Sequence, residues 1–342
     1  MTVYFYSPDY AFPSGGVRVL YRHVDILNKH GIEAYVLHTK RGFRCTWFEN
    51  TTQVAYLSDP LEDKVLRKLR RALGRGVERR TRLEGGASSF LRESDVIAVP
   101  EIYGPSIFDV APGIPVVVLN QNCYLSFQGY PLDSKMLRAP YDNPLLRGVM
   151  INSEDGREYL EFAFPDMPVT RFRLGIDSTM FNYRSAKKKL ICYTPRKNEL
   201  VVRQVVNLLK FRGRLGQFQL VPFSGRPQSE VAELMKDSAI FLSFGQYEGF
   251  GLPPAEAMAC GCIVIGYHAG GGKEFMRPEF SFPIAYGEVL DYVRTIEDVV
   301  EGMNSEPGKF EAMGRAASDF ILEQYAMEKE EEDVVRFWSG VA

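Results

Sequence analysis

The chain has 342 residues, roughly twice a common domain length, so two domains are the expectation. A net charge of −2 excludes a chain-wide pull toward nucleic acid or an anionic membrane and leaves only local patches for such partners. The five cysteines (Cys45, Cys123, Cys192, Cys260 and Cys262) hold no C-x-x-C pair and are odd in number, which argues against a disulfide framework or a zinc site and for reduced thiols in a cytoplasm.

The opening "MTVYFYSPDY" has neither a basic start nor a long apolar run, so no signal peptide is expected. No stretch reaches the roughly 18 apolar residues of a membrane span. "VYFYS", then "PDYAFPSGG", then "VRVLYRHVDILNKHG", then "EAYVLH" reads as strand, Gly-rich loop, helix and strand, with Gly31 stopping the helix. Gly15 and Gly16 open that helix, where free N–H groups can receive an anionic phosphate; a plain tight turn would look the same. A segment at 64–82 carries nine Lys or Arg and one acid, with Val65, Leu66, Leu69, Ala72 and Leu73 at helical spacing. It reads as a basic amphipathic helix suited to peripheral contact with an anionic membrane, the other reading being a solvated helix face. Without interleaved aromatics it does not read as a nucleic-acid surface. Apolar runs at "DVIAVP", "PVVVLNQN" and "GVMINS" complete a first parallel α/β domain.

The alternation restarts after "RFRLGIDSTMFNYRSAKKK". "LICYTP", "FQLVPFSG", "AIFLSF" and "CIVIGY" read as strands, separated by helices at "ELVVRQVVNLLKFRG", "SEVAELMKDS" and "PAEAMAC", and the tail from about 290 reads as helical. The expected fold class is α/β: two doubly wound, Rossmann-like domains facing across a cleft, with ligands at the carboxyl ends of the strands. The expected limits are 1–168 for the first domain and 169–322 for the second, with 323–342 a helix returning to the first.

"EGFGLPPAE" sets Glu248 and Glu256 around two glycines and two prolines, after the strand "AIFLSF". Pro254 suits a helix start, which puts Glu256 in the first helical turn; with Pro253 as N-cap, a capping box lacks its N–H donor. Two acids with flexible backbone between them suit a polyhydroxylated ligand gripped at two points. "YTPRKN" places Arg196 and Lys197 after the second domain's first strand, where cations can meet a diphosphate. No Asp-x-Asp occurs, and His23, His30, His38 and His268 show no ligand spacing, so no metal is expected.

"SFGQYEGFGLPPAEAMACGCIVIGYHAGGGKEF", beginning at Ser243, strongly resembles the signature of the family 4 glycosyltransferases, which have the GT-B fold. The resemblance implies that Glu248 lies by the transferred sugar, that Glu256 binds the ribose hydroxyls, and that the backbone of Gly249, Phe250, Gly251 and Leu252 contacts sugar and phosphates. Arg196 and Lys197 take the place of the family's basic pair, here adjacent rather than spaced, with Arg196 the firmer match. Gly15 and Gly16 match a family Gly-Gly pair. Where many members have a histidine after a buried strand, this chain has Asn120, Gln121 and Asn122; Asn120 and Asn122 are candidate acceptor-side hydrogen-bonders, but amides cannot act as a base. The implied activity is transfer of a sugar, with retention, from a nucleotide-diphosphate donor to a glycan or lipid-linked acceptor in cell-surface polysaccharide synthesis. The donor is a co-substrate and no cofactor is implied. The rival readings are a sugar-nucleotide epimerase or phosphorylase on the same fold, and a non-catalytic nucleotide- or glycan-binding homologue.

Overall fold

The computed structural model describes residues 1–57, 91–132 and 141–341. The basic 64–82 segment lies outside them. The chain divides into two compact units: Met1–Ile151, Leu160–Thr170 and Asp333–Ala342 form the first, and Asn152–Tyr159 with Arg171–Glu332 the second.

The first unit is built on β1 (Val3–Tyr6), α1 (Gly15–Lys29), β2 (Ala34–His38), β3 (Val54–Tyr56), β4 (Val96–Pro100), β5 (Val116–Asn120), β6 (Leu146–Ile151) and β7 (Val169–Arg171). The sheet order is β3-β2-β1-β4-β5-β6-β7, and the pairs from β3 through β6 run parallel. That is the doubly wound order, in which strand order reverses between β1 and β4. β4 and β5 are buried at every position, as strands covered on both faces must be. In α1 the buried Val17, Leu20, Val24 and Leu27 recur at helical spacing and form its core-facing stripe.

α2 (Glu154–Ala163) follows β6, and the second unit continues with β8 (Lys188–Tyr193), α3 (Glu199–Arg212), β9 (Gln219–Pro222), α4 (Gln228–Asp237), β10 (Ser238–Ser243), α5 (Leu252–Ala259), β11 (Ile263–Gly266) and β12 (Ser281–Pro283). Its five strands are ordered β12-β11-β10-β8-β9, all parallel. Counted within the unit this is the 2-1-3-4-5 winding, whose reversal lies between β8 and β10.

The tail is three helices, α6 (Val289–Ser305), α7 (Pro307–Gln324) and α8 (Met327–Val341). α6 and α3 cover one face of the sheet, with Val205, Leu209, Tyr292, Ile296 and Val300 packed against Ile191, Ile240, Leu242 and Ile265. Burying each such side chain contributes about 1.5–3 kcal/mol. Tyr292 also donates to the carbonyls of Ser243 and Ile265 at 2.9 and 3.0 Å, tying β10 to β11 just before the loops that follow them. Trp338 of α8 is fully buried in the first unit, its ring 5.4 Å from that of Phe5. No helix among the described residues is long and apolar enough to cross a membrane.

Candidate active site

In the second unit the reversal point of the sheet brings together two loops. β8 is followed by the turn Thr194–Asn198, with Asn198 at φ 55° as the N-cap of α3. β10 is followed by the 244–251 loop. Lys197 Nζ, from the first loop, is hydrogen-bonded and ion-paired to Glu248 Oε1, from the second. Both side chains are partly exposed, and both line a pocket with Thr194, Gly245, Pro253 and His268.

The 244–251 loop is held by a second turn. Glu248 N–H donates to Ala269 O at 2.8 Å and Gly271 N–H to Glu248 O at 3.2 Å, a short parallel bridge outside the main sheet. A Cβ on Gly271 would stand 2.0 Å from Gly249 O, so only glycine permits this approach. Tyr247 at φ 55° and Ala269 at φ 58° hold left-handed backbone at the same junction, the kind of strain that collects at functional sites. Gly270 N–H donates to His268 Nδ1 at 3.1 Å, which places the ring proton on Nε2. Burial, aided by Lys273, pushes the His268 pKa below its usual value and Asp155 opposes them, so the ring is neutral at pH 7.

The structure distributes the remaining sequence candidates as follows. Arg196 is exposed and does not line the pocket; its neighbour Lys197 is the cation that reaches Glu248. α5 begins at Leu252, two residues before the expected start, with Gly251 at φ 93° as N-cap; Glu256 therefore sits beyond the first turn rather than in it. The glycine's freedom at positive φ lets the helix form ahead of the two prolines, which occupy early positions where no N–H is required. Glu256 Oε1 receives Gln228 Nε2 at 3.4 Å, and Glu256 is not among the pocket-lining residues. Gly249 and Phe250 are buried and do not line the pocket, the Phe250 ring packing on Phe275 and Tyr325; of the 249–252 backbone only Gly251 lines it.

In the first unit Gly15 and Gly16 open α1 as expected from the sequence. They sit beside the reversal point between β1 and β4, and Gln121 Nε2 donates to Gly16 O at 3.2 Å. Asn120, read from the sequence as an acceptor-side group, is instead fully buried: its Nδ2 donates to Ser126 Oγ at 2.8 Å and Tyr141 OH at 3.1 Å. The reason is its place as the last residue of a strand buried on both faces, where an amide must bond inward. Asn122 is partly exposed and accepts from Tyr124 N–H at 3.2 Å, capping the short turn after β5.

Glu101, which the sequence reading passed over, is buried at the end of β4 and accepts Gln121 N–H at 2.9 Å. Burial pushes its pKa up to about 7, against the pull of backbone N–H groups of Gln121, Glu101 and Asn122. The signal was an acid directly following the uninterrupted apolar run "DVIAVP".

With this geometry in view, residues 207–317 match the family model described as glycosyl transferases group 1. An alpha-1,6-glucosyltransferase of Actinobacillus pleuropneumoniae is 49% identical over 47 residues, 14% of each chain. The N-acetyl-alpha-D-glucosaminyl L-malate synthase of Bacillus anthracis is 33% identical over 109 residues, 32% of this chain and 28% of that protein. The chain thus spans less than a third of the length of the curated relatives it matches. Over nearly the whole chain the structure resembles sucrose-phosphate synthase from Thermosynechococcus elongatus, with TM-score 0.68 at 12% identity, covering 99% of this chain and 98% of that one. It also resembles the Anabaena protein HepE in complex with UDP, with TM-score 0.65 at 14% identity, covering 99% of this chain and 100% of that one. The fold is GT-B. The second unit carries a family 4-like glycosyltransferase segment, and the resemblance read in Ser243–Phe275 is borne out.

Proposed function

We propose that this chain is a glycosyltransferase that holds a nucleoside-diphosphate sugar at the reversal point of its second sheet and passes the sugar to a glycan or lipid-linked acceptor. The observation that carries the reading is the Lys197–Glu248 pair in that crevice, within a segment similar to group 1 glycosyltransferases. Related folds give the donor class its support: HepE is described in complex with UDP-glucose, and the pneumococcal O-GlcNAc transferase GtfA in complex with UDP and GlcNAc.

In the proposed reaction the bond between the sugar's anomeric carbon and the diphosphate oxygen breaks, its electron pair leaving with the diphosphate. An acceptor oxygen bonds to that carbon, and the acceptor proton passes to the departing phosphate. Negative charge therefore grows where Lys197, with Arg196 beside it, supplies fixed positive charge. Glu248 positions the sugar, Glu256 takes the ribose hydroxyls, and the N–H groups of the 249–252 backbone meet sugar and phosphates. In the first unit, Gly15 and Gly16 offer helix N–H groups to an anion, and Asn122 a hydrogen bond to an acceptor. Acceptor proton and phosphate leaving group share one face of the sugar in this scheme, which gives retention. A role in cell-surface polysaccharide synthesis and a site of action at the cytoplasmic face of the membrane, with the 64–82 segment as contact, belong to the same proposal.

The test is a melting-temperature screen across nucleoside diphosphates and their sugars, since a ligand of the native state alone raises the melting point. One nucleotide should stabilise the protein, and Lys197→Ala should abolish the shift. The donor must then be consumed, with Glu248→Ala stopping consumption. Binding without turnover of any donor would favour a non-catalytic homologue.

A further inference from the structure

The turn that supports Glu248 ends in a carboxylate with an unusual set of partners. Glu274 has its side chain 11% exposed and accepts three hydrogen bonds. Arg171 Nη2 and Tyr325 OH each donate to Oε1 at 2.8 Å, and Glu154 N–H donates to Oε2 at 2.8 Å. Next to it, Lys273 Nζ pairs with Asp155 Oδ1 at 2.5 Å.

These partners share one property. Glu154 and Asp155 lie in the 152–159 segment, where the chain first enters the second unit; Arg171 is the residue at which it re-enters; Tyr325 follows α7, shortly before the chain leaves that unit at Asp333. One dipeptide, Lys273–Glu274, thus bonds to the 152–159 segment, to Arg171 and to Tyr325, three places at or near points where the chain passes between the units. On its other side the same turn builds the pocket through His268 and Ala269 and is bonded to the Glu248 backbone, with no room for a side chain at Gly271. Carboxylate bonds from a guanidinium and a buried phenol are stronger than neutral ones, so these partners fix the Glu274 carboxylate firmly.

We propose that Glu274 is a positioning residue of the pocket: it holds the 268–272 turn, and through it Glu248, in register with Glu154, Arg171 and Tyr325. The functional consequence rests on the donor-site reading; the structural consequence does not.

The experiment compares full-length wild type, Glu274→Gln and Tyr325→Phe by amide hydrogen exchange without ligand. In Glu274→Gln, exchange over 244–252 and 266–274 should accelerate about tenfold while the interiors of β8, β10 and β11 keep their protection. Tyr325→Phe, which removes one hydroxyl, should give a smaller change in the same peptides and decides the matter if Glu274→Gln does not fold. Unchanged exchange in those peptides, or a uniform rise through the whole second unit, overturns the proposal. With UDP-glucose as the probe donor, Glu274→Gln should lower kcat about tenfold and leave KM within about twofold, the signature of a misplaced reacting group rather than lost binding. Failure of wild type to bind UDP-glucose or UDP would count against that donor and leave exchange to judge the positioning role.

Discussion

Glu101 makes the protein's stability depend on pH in a direction opposite to that of most carboxylates. Its pKa is pushed from an ordinary 4.5 to about 7 by burial. Between those values the native state holds a proton that the unfolded chain has released. Stability from this group is therefore full below pH 4.5, falls as pH rises, and is exhausted above pH 7. At about 1.4 kcal/mol per pH unit, the interval corresponds to about 3 kcal/mol. The carboxylates held low by cationic partners, Glu233, Asp237 and Glu297, act in the other direction and below the ordinary carboxylate range, whereas His268, its pKa lowered by burial, adds stability as pH rises toward its ordinary value, so the Glu101 contribution is read as the difference between wild type and a variant that lacks the acid. Glu101→Gln keeps an oxygen for the Gln121 N–H and removes the titration. Urea denaturation at pH 5, 6, 7 and 8, followed by a probe of the first unit, should show wild type losing about 2–3 kcal/mol relative to the variant across the series. Parallel pH profiles for the two proteins would refute the assignment of a buried, neutral-range acid at this position.

Three further outcomes are expected. Lys187 Nζ donates to the carbonyls of Met235, Lys236 and Cys260 at the ends of α4 and α5, so Lys187→Met should destabilise the second unit by about 2–4 kcal/mol in chemical denaturation. Gly266, at φ 130°, would place a Cβ 2.1 Å from Tyr292 OH and 2.2 Å from Ser243 O; Gly266→Ala should cost more than about 3 kcal/mol or prevent folding, read as loss of soluble protein or of melting temperature. Trp338→Ala should remove about 3–5 kcal/mol from the first unit while leaving the nucleotide binding proposed for the second unaltered in a titration.

The alternation of apolar runs and helical stripes made most strands and helices legible, because strands buried on both faces cannot avoid being continuous runs such as "PVVVLN" and "AIFLSF". β3, β7 and β12 were not legible: each has three residues, too few for periodicity to register, and gains its pairing only from a neighbour already in place. The start of α5 was misplaced because proline restricts its predecessor in a peptide, whereas here Gly251 at positive φ lets the helix start earlier. Asn120 was misjudged because burial of a strand end is set by what covers it, here Ser126 and Tyr141, and no local pattern reports that.

The two reversal points hold their charged groups in different surroundings. At the β1/β4 point the titratable group, Glu101, is sealed under the Gln121 turn, and burial moves its pKa into the neutral range. At the β8/β10 point Lys197 and Glu248 stay partly exposed and neutralise each other across the crevice. A diphosphate entering there would compete with Glu248 for the Lys197 ammonium. If the proposed roles hold, Glu248→Gln should bind the matching nucleoside diphosphate several-fold more tightly than wild type at low salt while turning over its sugar more slowly, since the mutation frees the cation and removes the group proposed to place the sugar. Calorimetric titration of both proteins with the nucleotide from the melting screen checks this. Weaker binding by the variant would mean that Glu248 aids the diphosphate's cation rather than competing for it, and the division of roles between the two residues would have to be redrawn.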